Sequence, residues 1–104
     1  GVRKQSDVHP TTSTLTNFPN PFNPTTEIVF SIERPSIVTM KVYTMLGQRV
    51  QTLVENELQD AGFKTLSFNA SALASGLYFY RIDAVGGLDY RIQFSQIKKM
   101  LLIR

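Results

Sequence analysis

Side chains with the chemistry for catalysis are few in this chain of 104 residues. The sequence has no cysteine and a single histidine, His9, so a nucleophile–base triad cannot be built in the usual way. Most carboxylates fall in predicted turns or at outward strand positions, where they make a protein soluble rather than reactive. These carboxylates are Glu33, Glu55, Glu57, Asp60 and Asp89. The sequence therefore predicts a protein that is not an enzyme.

Sites for a metal, a cofactor or a nucleic acid are equally hard to place. Without cysteine there is no thiolate site, and no spacing of Asp or Asn resembles a calcium-binding loop. No glycine-rich loop precedes a helical pattern, so a nucleotide phosphate has no cradle. The net charge of +3 is spread along the chain, unlike the clustered basic stripe of a nucleic-acid binder. We expect no cofactor, no metal and no nucleic-acid partner.

The composition predicts one folded domain with a short polar segment before it. Hydrophobic residues make up 42% of the chain and charged residues 18%, which is typical of a globular protein and not of a disordered one. No apolar run approaches the roughly 18 residues of a membrane-spanning helix. Residues 1–16 are polar and show no period, which predicts a flexible linker. The folded domain is predicted to comprise residues 17–104.

The stretch "NFPNPFNP", which begins at Asn17, leads into the first clear strand. A residue before proline is pushed toward extended backbone, and proline itself fixes φ and lacks an N–H donor. The stretch is therefore stiff, and it cannot form a central strand. We expect the rings of Phe18 and Phe22 to insert into an open end of the core.

Alternation of apolar and polar residues predicts strands along the rest of the chain. The segment "EIVFSI" places Ile28, Phe30 and Ile32 on one face, and "LYFYRIDA" has the strongest strand pattern. With the turn signals between such segments, the sequence predicts an all-β, antiparallel sandwich of immunoglobulin-like type with about seven strands. A bulge is expected near Gln96, where the alternation of the last strand falls out of step.

Two groups of residues have more than one interpretation. Aromatic rings at Tyr78, Phe79 and Tyr80 are suited to stacking on a sugar, but alternation turns Tyr78 and Tyr80 to one face and Phe79 to the other. At least one face of that strand is therefore core. The pair Lys98-Lys99 either contacts an anionic partner or protects an apolar edge strand from aggregation, as charges at sheet edges do.

Four segments, taken in order, resemble the C-terminal sorting domain (type A) of the type IX secretion system, also called the Por secretion system tail. They are "FPNPFNPTTEIVFSI", "VTMKVYTMLGQRVQTLV", "AGFKTLSFNASALASGLYFYRI" and the terminal "KKMLLIR". The resemblance runs from about Asn17 to Arg104. The same general strand pattern is found in immunoglobulin-like domains of flagellar hook-capping proteins. The order and spacing of the four segments make the combination specific.

The resemblance implies an exported protein. Such domains lie at the extreme C-terminus of secreted enzymes and adhesins, mostly in Bacteroidetes-like bacteria. The upstream cargo domain crosses the inner membrane by the general secretory route, and the outer-membrane type IX translocon recognises the folded tail in the periplasm. A sortase-like cysteine peptidase then removes the tail, and the cargo remains at the cell surface or outside the cell. Cleavage is expected in the linker before Asn17.

The resemblance also implies which residues the translocon recognises. They are Pro19, Asn20, Pro21, Gly47, Gly76, Tyr78, Lys98, Lys99, Met100, Leu101, Leu102, Ile103 and Arg104. We expect that deletion of residues 98–104 blocks export while leaving much of the sandwich folded. One departure from the family pattern is the stretch "LDYRIQFSQI" before Lys98, which is longer than the short hairpin usual for the family.

Two other functions fit an all-β domain of this size. An accessory sandwich that binds polysaccharide, attached to a secreted polysaccharide-degrading enzyme, would show an exposed row of aromatic side chains on one sheet face. A purely structural spacer or assembly module, as in the hook-capping proteins, would self-associate or bind a filament partner. Its function would not depend on the terminal residues.

Overall fold

The computed structural model describes residues 10–86 and 91–104, which form seven β-strands. The strands are β1 (Thr14–Phe18), β2 (Thr25–Ile32), β3 (Ser36–Thr44), β4 (Arg49–Gln59), β5 (Gly62–Asn69), β6 (Gly76–Gly86) and β7 (Ile92–Leu102). No helix within these two ranges is long and apolar enough to cross a membrane. The prediction of an all-β fold with about seven strands is confirmed.

Strand β3 shows how the sequence builds one face of the core. Val38, Met40 and Val42 are fully buried, whereas Lys41 and Tyr43 are half-buried on the opposite face. Successive side chains of a strand point to opposite faces, so this alternation gives the strand one apolar surface. The same alternation in β2 and β6 supplies most of the remaining core. The core consists of Leu15, Phe22, Ile28, Phe30, Ile32, Val38, Met40, Val42, Phe68, Ala70, Tyr78, Tyr80, Ile82, Ala84, Met100 and Leu102.

The strands form two antiparallel sheets that enclose this core as a sandwich. One sheet has three strands in the order β1-β2-β5, and the other has four in the order β4-β3-β6-β7. β1 contacts β7 on one side of the sandwich. On the other side, a cleft of about 570 Å³ lies between β4 and β5. The outermost strands of the four-stranded sheet are therefore β4 and β7.

The described structure differs from the sequence-based expectations in two details. β1 begins at Thr14 and buries Leu15, so the predicted domain start at Asn17 lies within a strand. The bulge expected near Gln96 is not found there, because β6 and β7 pair without interruption from Phe94 to Leu102. Positions 94, 100 and 102 are separated by even numbers of residues, so regular alternation turns all three side chains to the same face. No bulge is needed between them.

Some predicted features lie outside the described residues. They are His9, Asp89 and the greater part of the predicted linker, together with the first residues of the unusually long stretch before Lys98. The one irregularity in the pairing of β6 with β7 falls between Ala84 and Val85, next to that stretch.

Candidate recognition site

Three loops and the last residues of β7 meet at one end of the sandwich. The loops are residues 19–24, 45–48 and 70–75, which connect β1 to β2, β3 to β4 and β5 to β6. Thr44, at the end of β3, pairs with Tyr78 near the start of β6, and Tyr78 pairs with Met100 near the end of β7. This region is termed the β7 end below. The β2–β3 turn at residues 33–35 lies at the opposite end.

The residues predicted from the resemblance all lie in or next to the β7 end. Residues 19–21 belong to the first loop and Gly47 to the second, while Gly76 and Tyr78 begin β6 and residues 98–104 end the chain. Hydrogen bonds join Asn20 directly to Lys99 and Leu101, which lie 79 and 81 positions further along the chain. The topology therefore assembles one surface from segments that are distant in the chain.

Asn20 binds the outer edge of β7 with both polar atoms of its side-chain amide. Its Nδ2 donates to the Lys99 carbonyl oxygen over 3.1 Å, and its Oδ1 accepts from the Leu101 N–H over 2.9 Å. A side-chain amide offers a donor and an acceptor side by side, as a peptide group does. Asn20 therefore pairs with β7 as one residue of a further strand would, and covers backbone groups that an outermost strand otherwise exposes.

Phe22 continues this pairing with its own backbone. Its N–H donates to the Leu101 carbonyl oxygen, and its carbonyl oxygen accepts from the Ile103 N–H, both over 2.9 Å. Together these bonds form a parallel bridge between Phe22 and Leu102. The Phe22 ring is only 2% exposed and packs against Phe68, with ring centroids 6.1 Å apart. The prediction that this ring enters the core is confirmed, and the first loop is fixed to β7 by backbone, amide and ring together.

Asn17, and not Phe18, takes the inward position at the end of β1. The Phe18 side chain is 77% exposed, so the prediction that it enters the core is wrong, because alternation along β1 turns position 18 outward. The buried Asn17 Oδ1 accepts from the Tyr80 hydroxyl over 2.8 Å, and its Nδ2 donates to Thr26 Oγ1 over 3.1 Å. The Thr26 hydroxyl in turn donates to the Pro19 carbonyl oxygen over 2.8 Å.

The Tyr80 hydroxyl is the donor of this network that comes from the other sheet. Burial raises the pKa of the Tyr80 phenol to about 12, because the charged phenolate loses its solvation there. The phenol therefore stays protonated at neutral pH and donates to Asn17. Tyr80 belongs to the four-stranded sheet and Asn17 to the three-stranded one, so this bond joins the two layers beneath the first loop.

The third loop is held by Tyr78 and by Arg104. The Tyr78 hydroxyl donates to the Ala74 carbonyl oxygen over 2.7 Å. The Arg104 guanidinium donates to the Leu73 carbonyl oxygen over 2.9 Å and also to that of Ser71. Arg104 therefore supplies hydrogen-bond donors to two backbone carbonyl groups of this loop.

The second loop depends on the backbone of Gly47. Its φ is +87°, in the left-handed region that glycine adopts without the steric cost of a Cβ. The Gly47 N–H donates to the Thr44 carbonyl oxygen over 2.9 Å, and the Thr44 N–H donates to the Gln48 carbonyl oxygen over 2.8 Å. Nothing lies within 4 Å of the point where a Cβ of Gly47 would stand. The requirement for glycine is therefore conformational and not one of space.

The last residues of β7 divide into buried and exposed side chains. Met100 and Leu102 are each 1% exposed and belong to the core, whereas Lys98, Lys99 and Ile103 face solvent. The burial of these two side chains argues against the expectation that the sandwich stays largely folded without residues 98–104. Such a deletion removes two core side chains and the backbone partners of the first loop. Only the exposed residues are available for direct contact with a partner.

Sequence reasoning did not find the residues that anchor the first loop, namely Asn17 and Thr26. The available signal was an asparagine at an inward strand position, since a polar side chain there must find hydrogen-bond partners inside the protein. Its partner Tyr80 lies 63 residues further along the chain, and local patterns do not reveal such a contact.

The chemistry of the β7 end is that of recognition. In the two described ranges no cluster of His, Cys, Asp and Glu is arranged to hold a metal ion. Lys98, Lys99 and Arg104 are exposed cations at this end, and Glu27 on β2 is an exposed carboxylate there. Exposed apolar side chains such as Ile103 lie beside these charges, and surfaces of this mixed kind are used to bind other proteins.

A comparison with known protein families identifies the class to which this chain belongs. Residues 16–94 match the family of the secretion system C-terminal sorting domain (Por_Secre_tail), and the chain belongs to that family. It is therefore a C-terminal sorting signal of the type IX system, a non-catalytic tail that interacts with the secretion system and is exported to the cell surface or beyond. The matched region ends at Phe94, before the terminal segment. No curated protein matches the chain.

Proposed function

We propose that this domain directs an upstream cargo, an enzyme or an adhesin, across the outer membrane. We further propose that the type IX translocon recognises the β7 end of the folded sandwich. The observation that carries the proposal is the family match over residues 16–94. The geometry supports it, because the exposed side chains of Lys98, Lys99 and Ile103 lie beside the proline loop that Asn20 fixes to the same strand.

In this proposal the residues of the β7 end act in two ways. Tyr78, Met100 and Leu102 are buried, so they maintain the shape of the surface and do not touch a partner. Asn20 and Arg104 hold neighbouring backbone in place through their side chains. Direct contact is left to the exposed residues. The translocon therefore recognises a folded surface assembled from distant segments, and not a linear peptide.

Pairing of a partner strand with β7 is a second contact that the geometry allows. Along an antiparallel strand the backbone groups of alternate residues point to the same side. The backbone groups of Lys99 and Leu101 point to the outer edge of β7, where the first loop binds them. By the same alternation, the backbone groups of Ser95 and Ile97 point to the part of that edge that the loop does not cover. Strand addition would use this uncovered part, since it offers free donors and acceptors in regular geometry.

Removal of the tail is proposed to occur before β1. A sortase-like cysteine peptidase needs an extended substrate in its active site, and exposed segments between domains are the usual places of cleavage. From Thr14 onward the backbone is paired with β2, with Thr14 opposite Ser31. Cleavage within β1 would require its release from the sheet, so we place the cut in the linker that precedes Thr14 and follows the cargo.

The test is an export experiment with point variants in place of a deletion. The full chain is fused behind a reporter that carries a general secretory signal and is expressed in a host with a working type IX system. Surface exposure is scored by added protease for the intact tail and for Lys98→Glu/Lys99→Glu. The matched control is Arg34→Glu, an exposed cation in the turn at the opposite end of the sandwich.

We expect the reporter to reach the surface with the intact tail and with the Arg34 variant, and to stay in the periplasm with the Lys98/Lys99 variant. The unfolding midpoint of each purified tail should be the same, because these side chains are exposed. Retention of the reporter with the intact tail would contradict the proposal. It would favour a polysaccharide-binding module, for which the outer face of the four-stranded sheet provides the adjacent rings of Tyr43 and Phe79.

A further inference from the structure

The outer face of the four-stranded sheet carries a row of side chains with a distinct pattern. In register across the strands lie Arg49 on β4, Tyr43 on β3, Phe79 on β6 and Lys99 on β7. Each is the direct neighbour of the next, so two aromatic rings stand side by side with a cation on either flank. Directly opposed pairs of this kind lie within contact distance across a sheet. This row, together with the neighbouring residues Lys41, Gly47, Arg81 and Ile97, is termed the aromatic row.

The centre of the aromatic row is a shallow depression with apolar walls. It has a volume of about 310 Å³ and is lined by Tyr43, Gly47, Phe79, Arg81 and Ile97. That is the low end of the volumes of sites that take small molecules or single anchoring side chains. The turn beside it exposes two further apolar side chains, Met45 and Leu46, the latter 90% exposed. Adjacent exposed apolar side chains of this kind mark surfaces that bind a partner.

Positive charge surrounds the depression. The row next to the aromatic one places Lys41 directly opposite Arg81, and like charges in that position destabilise a sheet. Arg81 is partly neutralised by Asp83, whose Oδ2 lies 3.0 Å from Arg81 Nε. Within the described ranges, Arg49, Lys41 and Lys99 take part in no salt bridge. The surface therefore keeps an excess of unpaired cations around an apolar centre, at a cost in stability that a binding function would explain.

We propose that the aromatic row binds an extended acidic peptide segment that inserts one apolar side chain into the depression. Charge complementarity assigns carboxylates to the flanks, where Arg49, Lys41 and Lys99 stand. The apolar walls assign a leucine or an aromatic residue to the centre, since aromatic side chains surrounded by polar contacts supply most of the affinity of protein interfaces. The identification of this segment as part of the secretion machinery rests on the proposed function, whereas the binding itself does not.

The chemistry of the surface favours a peptide over a sugar. Rings at Tyr43 and Phe79 are suitable for stacking on a sugar, but a sugar also needs acceptors and donors that converge on its hydroxyl groups. The polar groups around the depression are almost all cations, which offer donors alone. An acidic segment with an apolar anchor satisfies both the cations and the apolar walls.

The binding test uses the full chain and a synthetic peptide of ten residues, with a central Leu-Phe pair and four acidic residues on each side. Amide resonances of the isotope-labelled chain are followed during titration. Two further probes are the same peptide with lysine in place of every acid, and the polyanion alginate. The variants are Lys41→Glu/Arg49→Glu and the charge-preserving Lys41→Arg. Phe63→Ala, a 65% exposed ring on the other sheet, is the control.

We expect the acidic peptide to shift the amides of Tyr43, Phe79 and Ile97, and to bind at least about tenfold more weakly to the double glutamate variant. Affinity should fall with added salt, because exposed charges are screened. Phe63→Ala should bind as the unchanged chain does, and Lys41→Arg, which keeps the charge, should retain more affinity than the double glutamate variant. Shifts on the other sheet, equal affinity for the lysine peptide, or equal affinity for alginate would each overturn the proposal.

The export experiment separates this inference from the proposed function. Lys41 and Arg49 are not among the residues assigned above to the translocon surface, so the double glutamate variant tests the aromatic row alone. Retention of the reporter by this variant, with normal export by Phe63→Ala, would support the inference. Normal export by the double variant would overturn the link to the machinery and leave the proposed function standing. Failure of the intact tail itself would overturn the proposed function.

Discussion

The two outermost strands of the four-stranded sheet protect their edges in different ways. β4 pairs with β3 through three register shifts, and Asn56 has a φ of +46° within it. The Thr39 hydroxyl oxygen accepts a hydrogen bond from the Asn56 N–H over 3.1 Å, and this bond stabilises the irregular backbone at Asn56. β7 pairs evenly with β6 from Phe94 to Leu102, and the first loop covers its last third through Asn20 and the Phe22 backbone.

β4 is protected from pairing with another strand by its own irregular backbone, whereas β7 is protected only where the first loop covers it. Bulges twist the backbone and spoil its hydrogen-bonding geometry, so β4 is a poor template for another strand between Arg49 and Glu57, where the register shifts lie. The cover on β7 leaves the backbone regular and stops short of Ser95 and Ile97. Of the two edges, β7 is therefore the one that a partner strand can join. The predictions below test whether the end of β7 is structural, as its burial indicates, or separable from the fold.

The largest expected effect is that of Met100→Ala on β7. Its side chain is 1% exposed, and truncation of a buried methionine to alanine costs about 2–5 kcal/mol through lost apolar contact and the cavity left behind. The matched variant on the other edge is Leu58→Ala, whose exposed side chain on β4 should change the free energy of unfolding by less than about 0.5 kcal/mol. Urea denaturation of both purified variants gives the comparison. An equal decrease in the free energy of unfolding of the two variants would show that the β4 side chain contributes as much to stability as the β7 side chain.

The sequence predicted most of what lies inside each sheet and little of what joins distant segments. Alternation identified the inward residues of β2, such as Ile28 and Phe30, because a period of two is set by the strand itself. It missed β1, where threonine-rich sequence leaves Leu15 as the only apolar inward residue. Contacts such as that of Asn20 with Leu101 depend on how the strands are ordered, and no local pattern specifies that order.

The same limit applied to the recognition site. The family resemblance supplied the residues of the β7 end, but not the distinction between buried Met100 and exposed Lys99, because a list of positions assigns no face, whereas alternation along β7 turns Met100 toward the core and Lys99 toward solvent. The Phe18 prediction failed for a related reason. Proline-rich sequence indicates a stiff segment without indicating which of its rings faces inward.

A smaller effect is expected from titration of Tyr80 at high pH. The pKa of its phenol is about 12 in the folded protein and about 10 in an unfolded chain, so between these values only the unfolded state releases the proton. The free energy of unfolding should therefore be independent of this group below pH 10 and fall as the pH rises from 10 to 12. Lysines titrate in the same range, so the measurement is the difference between the unchanged chain and Tyr80→Phe across that interval.

This difference should shrink as the pH rises, because the phenylalanine variant lacks the titrating group. A constant difference from pH 9 to pH 12 would mean that the Tyr80 hydroxyl is accessible to solvent and that its bond to Asn17 does not shield it. The result bears on the comparison of the edges, since this bond anchors the loop that covers β7.

The smallest effect, and the most direct probe of the cover on β7, is expected from Asn20→Ala. The side chain is exposed, so loss of its two hydrogen bonds should lower the free energy of unfolding by only about 1 kcal/mol. Amide hydrogen exchange should nevertheless quicken at the Leu101 N–H, which loses its acceptor, while the Ile103 N–H keeps the Phe22 carbonyl oxygen as its partner. Asn23→Ala, an exposed asparagine of the same loop, is the control. Faster exchange at both amides would show that the side chain of Asn20 holds the whole loop on β7, and unchanged exchange at Leu101 would show that it does not cover the edge at all.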